Sequence, residues 1–370
     1  MDQKLLHTPE GVRDIYNEEC ERKLTLQDRL HNIMRLYGYR DIETPTFEFF
    51  DVFSQEVGTT PSKDLYKFFD REGNTLVLRP DITPSIARAS AKYFTNEETP
   101  IRLCYVGNTF INNSSYQGRL KETTQLGAEL IGDNSVDADA ELIAMVIESL
   151  LAAGLKDFEV SIGQVDFFKC LIQEAGIDSE TEGELKQLIS NKNNFGVEEI
   201  LSNLSIGSGL KELFTSLPKL YGNREVLDKA KSMTQNERAL ASLERLQNIY
   251  DILCIYGFER YVSFDLGMLS NYMYYTGVIF RAYTFGTGDA IVKGGRYDQL
   301  LKHFGKDAAS IGFVVVVDQL LTALNRQKIE VAVTGAPTVL RYREGQREDV
   351  IREAKKLRSA GRNVALVREE

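Results

Sequence analysis

A chain of 370 residues, 43% hydrophobic and 26% charged, has the size and composition of a soluble globular protein with one large core and additions. Its formal net charge of −10, with Lys and Arg interspersed among acids, leaves no basic stripe for phosphates and excludes nucleic acid as the expected partner. No apolar run nears the roughly 18 residues of a membrane span, and MDQKLLHTPEGVRD lacks a basic-then-apolar leader, so a cytoplasmic protein is expected.

Residues 20–37 carry Leu26, Leu30, Ile33, Met34 and Tyr37 on one helical face, with Gly38 placed to stop the helix. YRDIETPTFEFFDVF is extended and interrupted by Pro45. TLVLRPD (75–81) predicts a short strand running into a Pro-Asp turn, and ITPSIARASAKYF a helix. RLCYVGNTF and TTQLGAELIG predict two strands joined by a polar bend. A helix follows from Asp137 to Ala153, with Ser135 or Asp137 as N-cap and Gly154 behind it. DFEVSIG (157–163) is a further strand.

From about 168 to 254 the pattern is helical, and Leu240, Leu243, Leu246, Ile249 and Leu253 make one stripe. Strands resume with YVSFDL, VIFRAYTFG and SIGFVVVV. The order predicts an α+β fold: a largely antiparallel sheet flanked by helices and interrupted by a helical insertion. The tail at 330–370 reads strand, helix, strand, with Gly361 closing the helix. Such a short α/β unit is too small to stand alone.

Cys20, Cys104, Cys170 and Cys254 are widely spaced, and the histidines are His7, His31 and His303. No paired spacing suggests zinc, so no metal and no cofactor are expected and the cysteines are read as reduced. Three polar clusters stand out on strand-associated segments. LRPDITPSIAR offers Arg79, Asp81, Thr83 and Arg88. QLGAEL places Gln125, Gly127 and Glu129 on one strand face at period two. NYMYYTG with KGGRYDQL offers Tyr274, Tyr275, Arg296, Tyr297 and Asp298. Singly, each reads as a satisfied polar position; together they suit a small zwitterionic ligand with several donors, such as an amino acid. Asp81 and Glu129 also fit a general acid/base pair, but no nucleophile or catalytic histidine accompanies them, so no catalytic residue is assigned. KGGRYD lacks the spacing of a phosphate loop.

These segments, in this order, resemble the class II core of histidyl-tRNA synthetase over about residues 1–325. HTPEGVRDIYNEE is similar to that family's N-terminal signature and GYRDIETPTFEFFDVF to its dimer-forming first motif. YVGNTFINNSSYQGRLKETTQLGAELIG is similar to the second motif, NYMYYTG and GGRYD to the two histidine-specific motifs, and IGFVVVVDQL to the third class II motif. The resemblance implies that Asp81, Thr83 and Gln125 meet the α-ammonium of histidine. It implies that Glu129 and Tyr275 reach the imidazole, with Tyr274 beside them. Asp81 stands where the synthetases have Glu.

The departures concern phosphate. The family's arginines fall at Ile111, Gln319 and Ser270, its second-motif acid at Asn113, its third-motif glycine at Val316, and one aspartate at Met273. Phosphoryl chemistry depends on positioned cations. Losing one such donor costs about a hundred- to a thousandfold, so no adenylation site is expected. Arg88, Arg119 and Lys121 remain as possible anion- or nucleotide-binding residues. This combination resembles the regulatory subunits of ATP phosphoribosyltransferase, a family paralogous to the synthetases. That resemblance implies a non-catalytic chain in histidine biosynthesis that binds histidine as allosteric ligand and self-associates through the class II dimer interface. It implies a hetero-octamer with a short-form catalytic subunit. A divergent histidyl-tRNA synthetase and a free-standing histidine-sensing module are the alternatives.

Overall fold

The computed structural model describes residues 6–53, 60–95, 97, 99–113, 120–270, 274–333 and 335–370. The first helix, α1 (Asn17–Leu36), buries Leu26, Leu30 and Met34 on one face. Gly38 follows at φ +82°, a left-handed conformation that suits glycine, and turns the chain back into β1 (Arg40–Asp41). β2 (Phe47–Phe49), β3 (Lys67–Phe69) and β4 (Thr75–Leu78) form a small antiparallel sheet with β4 in the middle. The stretch after Pro45 is therefore not one long strand. It bends at 50–53 into a single 3-10 turn that buries Val52 and Phe53.

α2 (Thr83–Tyr93) starts with a proline in its first turn, where no amide hydrogen is needed. β5 (Ile101–Phe110) and β6 (Glu122–Ile131) pair along ten residues each. α3 (Val136–Ala152) is capped by Ser135, whose Oγ accepts from the Ala138 amide at 3.1 Å; of the two candidate caps, Ser135 makes this bond. β7 (Phe158–Gln164) leads into the insertion, which comprises α4 (Val165–Ala175), α5 (Ser179–Ser190), α6 (Asn194–Ser202), α7 (Ser208–Ser216), β8 (Tyr221–Gly222), α8 (Glu225–Ser232) and α9 (Glu237–Tyr256). It opens slightly earlier than the hydrophobic pattern indicates. Nor is it wholly helical, because β8 pairs with β9 (Val262–Asp265).

β10 (Val278–Thr284), β11 (Val292–Arg296), β12 (Ser310–Val316) and α10 (Val317–Arg326) complete the main body. The large sheet runs β1-β5-β6-β12-β11-β10-β7-β9-β8. Every pairing from β5 to β7 is antiparallel, while β1 joins β5 and β9 joins β7 in parallel. The largely antiparallel sheet flanked by helices that the sequence predicts is present. β11 adds a strand that the sequence reading did not name, having taken KGGRYD only as part of a strand-associated polar cluster; its glycines are poor strand formers, yet the strand is central.

Two buried arginines fasten this frame. Arg79, 7% exposed, donates to the carbonyls of Thr44 at 2.7 Å and Asn108 at 2.8 Å, joining the β4–α2 turn to β5. Arg296 of β11, 2% exposed, donates to Asp139 of α3 at 2.6 and 2.9 Å. Asp139 also accepts from Arg245 of α9 at 2.6 Å, so one carboxylate ties sheet, flanking helix and insertion together. A buried acid is tolerated where such donors surround it.

Contacts divide the chain into two compact units. One comprises Leu26–Glu330 with the N-terminal residues up to Asp14, and the other comprises Ile15–Thr25 with Val331–Glu370. In the second unit β13 (Thr338–Tyr342) and β14 (Val364–Arg368) pair in parallel around α11 (Arg347–Ser359). Gly361 follows that helix at φ +77°.

Candidate functional site

One face of the large sheet is nearly bare of side chains at its centre. Pairing places Leu103, Glu129, Gly312, Gly295 and Ile279 in one row across five strands. A β-carbon at Gly312 would overlap the Glu129 carboxylate. One at Gly295 would lie 2.8 Å from Tyr275 Cε1, and one at Gly127 would lie 2.5 Å from Tyr105 Oη. The glycines thus let a carboxylate and two phenol rings lie flat on the sheet. Above them opens a cavity of about 710 Å³.

Asp81, Thr83, Gln125, Glu129, Tyr274 and Tyr275 all line this one cavity. Glu129, 1% exposed, accepts from Thr83 Oγ1 at 2.7 Å and from the Tyr297 hydroxyl on its other oxygen. Burial pushes its pKa up to about 8, against the pull of the Tyr297 and Thr83 donors, with nearby Asp81 adding to the rise. Asp81 accepts from the Thr83 amide at 3.3 Å and the Tyr274 hydroxyl at 3.5 Å, and burial raises its pKa as well. Gln125 Oε1 is buried with no hydrogen-bond partner among the described residues. Tyr274 packs against Tyr275 at 4.7 Å and edge-on against Tyr297 at 5.8 Å between ring centroids. Tyr297, noted in the sequence only as one polar residue of a cluster, is a direct partner of Glu129.

The same cavity continues toward the first turn of α10. Ile111, Asn113, Val316, Asp318 and Gln319 line that end, and the Thr124 amide donates to Asp318 at 2.7 Å. Ser270 is buried, while Met273 lies outside the described residues. Of the residues considered for an anion, Lys121 lines the cavity and its amide donates to the Gly11 carbonyl at 2.7 Å. Arg119 lies outside the described residues. Arg88 does not line the cavity; its guanidinium donates to Glu48 Oε1 at 2.8 and 3.1 Å. Sequence reading missed Lys293 and Arg326, which do line it, Lys293 lying 3.4 Å from Asp289 and Arg326 donating to the Gly286 carbonyl at 2.7 Å. No Cys or His among the described residues lines the cavity. Asp81, Glu129 and the Gln125 oxygen group acceptors at one end of it, with the rings of Tyr274, Tyr275 and Tyr297 beside them.

The raised pKa of Glu129 has a testable sign. The folded chain keeps a proton on Glu129 up to about pH 8, whereas the unfolded carboxyl loses it near its ordinary value of 4.5. The native state therefore binds more protons between those values, and stability falls as pH rises through that window. Thermal melting from pH 5 to 8.5 should show a declining midpoint in the ligand-free protein and a flatter profile in Glu129→Gln. Parallel profiles would locate the titrating group elsewhere.

The family model described as Histidyl-tRNA synthetase matches residues 11–320. An ATP phosphoribosyltransferase regulatory subunit of Acetivibrio thermocellus is 42% identical over 356 residues, 96% of this chain and 85% of that protein. One from Thermoanaerobacter pseudethanolicus is 37% identical over 362 residues, 98% of this chain and 94% of the relative. A solved structure from Bacillus halodurans, titled as an ATP phosphoribosyltransferase regulatory subunit/histidyl-tRNA synthetase, superposes with TM-score 0.90 at 34% identity, covering 98% and 93% of the two chains. The histidyl-tRNA synthetase of Nostoc sp. PCC 7120, 20% identical with TM-score 0.77 over 98% and 86% of the chains, shares the fold.

Proposed function

This chain belongs to the ATP phosphoribosyltransferase regulatory subunits, a family built on the histidyl-tRNA synthetase fold, and from that premise we propose that it senses histidine without catalysing a reaction. Glu129 and Tyr275 meet the imidazole, Tyr274 stands beside them, and Asp81, Thr83 and Gln125 meet the α-ammonium. The observation that carries this reading is Glu129. A buried carboxylate on a glycine-cleared floor, close to Asp81 and an unpartnered Gln125 oxygen, supports a ligand that brings its own donors. Against adenylation stand Ile111 and Gln319, which line the far end of the cavity at positions where the resemblance calls for arginine.

Family membership supports a reading of the assembly as well. The chain self-associates through the class II dimer interface and joins a short-form ATP phosphoribosyltransferase catalytic subunit in a cytoplasmic hetero-octamer. It activates that subunit in the first step of histidine biosynthesis and conveys feedback inhibition. Among the described residues no helix is long and apolar enough to cross a membrane. Histidine acts by shifting the population of two quaternary states, which requires different affinities for them. A coupling of about 1–3 kcal/mol is enough.

Isothermal calorimetry of the purified chain should detect histidine binding, and histidine-dependent pyrophosphate exchange with ATP should be absent. Mixing with the short catalytic chain should raise phosphoribosyl transfer and render it sensitive to histidine. Clear exchange activity would make the chain a synthetase; no binding of histidine would remove the sensor reading.

A further inference from the structure

Apart from the cavity, three donor atoms from distant parts of the sequence converge on one point. His31 lies on α1, Asp41 on β1 and Cys104 on β5, and the parallel pairing sets Asp41 opposite Cys104. His31 Nε2 hydrogen-bonds Asp41 Oδ1. Cys104 Sγ lies 3.5 Å from that same nitrogen and 3.6 Å from that same oxygen. Thiol and carboxylate both address one ring nitrogen. A nucleophile–base relay instead needs them on opposite nitrogens of the ring, so activation of the cysteine by His31 and Asp41 is not what this geometry serves.

It does serve a metal. Zinc binds sulfur at about 2.3 Å, imidazole nitrogen at about 2.0–2.1 Å and carboxylate oxygen at about 2.0–2.2 Å, so tetrahedral angles place sulfur about 3.6 Å from each of the other two. Two edges of the triangle already have that length. Only the nitrogen–oxygen edge has to open, and Asp41 can supply that movement because it sits exposed on a two-residue edge strand. Arg35 holds the other Asp41 oxygen, Oδ2, at 2.8 Å, leaving Oδ1 directed at the shared point. Such an outer partner orients a ligating carboxylate.

We propose that His31, Asp41 and Cys104 form a binding site for a thiophilic divalent cation, with zinc as occupant and water completing the tetrahedron. The thiol excludes the oxygen-preferring Mg²⁺ and Ca²⁺. Cys104 binds as thiolate and releases its proton to solvent, while His31 binds through a bare Nε2 with its proton on Nδ1. The site ties α1 to the sheet edge and is independent of the histidine reading, since none of its ligands lines the cavity.

The test uses the full chain, stripped of metal and titrated with Co²⁺. A thiolate-to-cobalt absorption in the near ultraviolet and tetrahedral bands in the visible should saturate at one equivalent per chain and disappear on adding zinc. Zinc should raise the melting temperature, and chelator should reverse the rise. Cys104→Ser and His31→Gln should each abolish the thiolate-linked spectrum. Asp41→Asn should weaken binding by more than the roughly tenfold that outer-partner changes cost. Circular dichroism of each variant separates loss of site from loss of fold, and His31→Gln keeps the test decisive if Cys104→Ser fails to fold. A wild-type titration without the thiolate absorption, or one unchanged in either variant, overturns the site.

Discussion

Asp139→Ala should lower the unfolding free energy by about 3–5 kcal/mol, the scale expected when one partner of a buried ion pair is removed. Asp139 has no exposed surface and Arg296 only 2%. Without the carboxylate, Arg296 keeps the Asp133 carbonyl at 3.0 Å and Asp298 at 3.2 Å, and the latter is only partly shielded from water. Arg245 of α9 loses its carboxylate contact as well, keeping the carbonyls of Asn134 and Ser135. Urea or guanidinium unfolding measures the change through its midpoint at constant slope. Arg296→Met combined with Asp139→Leu should recover much of the loss, because apolar replacement of a whole buried pair is often neutral. A single variant within 0.5 kcal/mol of wild type, roughly the range of a surface change, would show that this pair does not hold α3 to the sheet.

Glu129→Ala should weaken histidine binding by about ten- to a hundredfold, since an imidazolium in the site would draw Glu129 into its ionised form and a hydrogen bond to a charged group contributes about 1.5–3 kcal/mol. Glu129→Gln keeps an acceptor of similar size and should lose less. The variants are expected to fold, because the carboxylate removed is one that burial already holds in its protonated form at neutral pH. Calorimetry gives the affinities, and equal values for wild type and Glu129→Ala would place the histidine elsewhere.

Much of this site was legible in the sequence for a simple reason. Residues two and four apart on one strand share a face, so Gln125 and Glu129 had to stand together, and a Pro-Asp turn leading into a helix put Asp81 and Thr83 at an element end. Motif order joined these to Tyr274 and Tyr275. Chain-distant packing was not legible. β11 was hidden because Gly294 and Gly295 carry no strand propensity; they are required by rings above and below, Phe280 on one side and Tyr275 on the other. Arg88 looked available for an anion until folding brought Glu48 to it. His31, Asp41 and Cys104 have no metal-like spacing, the last two being 63 residues apart, and only the β1–β5 register unites them. Lys293 and Arg326 line the cavity from two different elements, which no local pattern records.

Arg296 and Tyr297 are consecutive. The first is gripped by the carboxylate that also holds α9, and the second presents its hydroxyl to Glu129. The contact that reaches α9 and the hydroxyl that meets Glu129 therefore stand on neighbouring residues at the end of β11. A ligand whose binding displaces the Tyr297 hydroxyl would act one residue away from the contact that holds α9, which is where a coupling between the two should be sought.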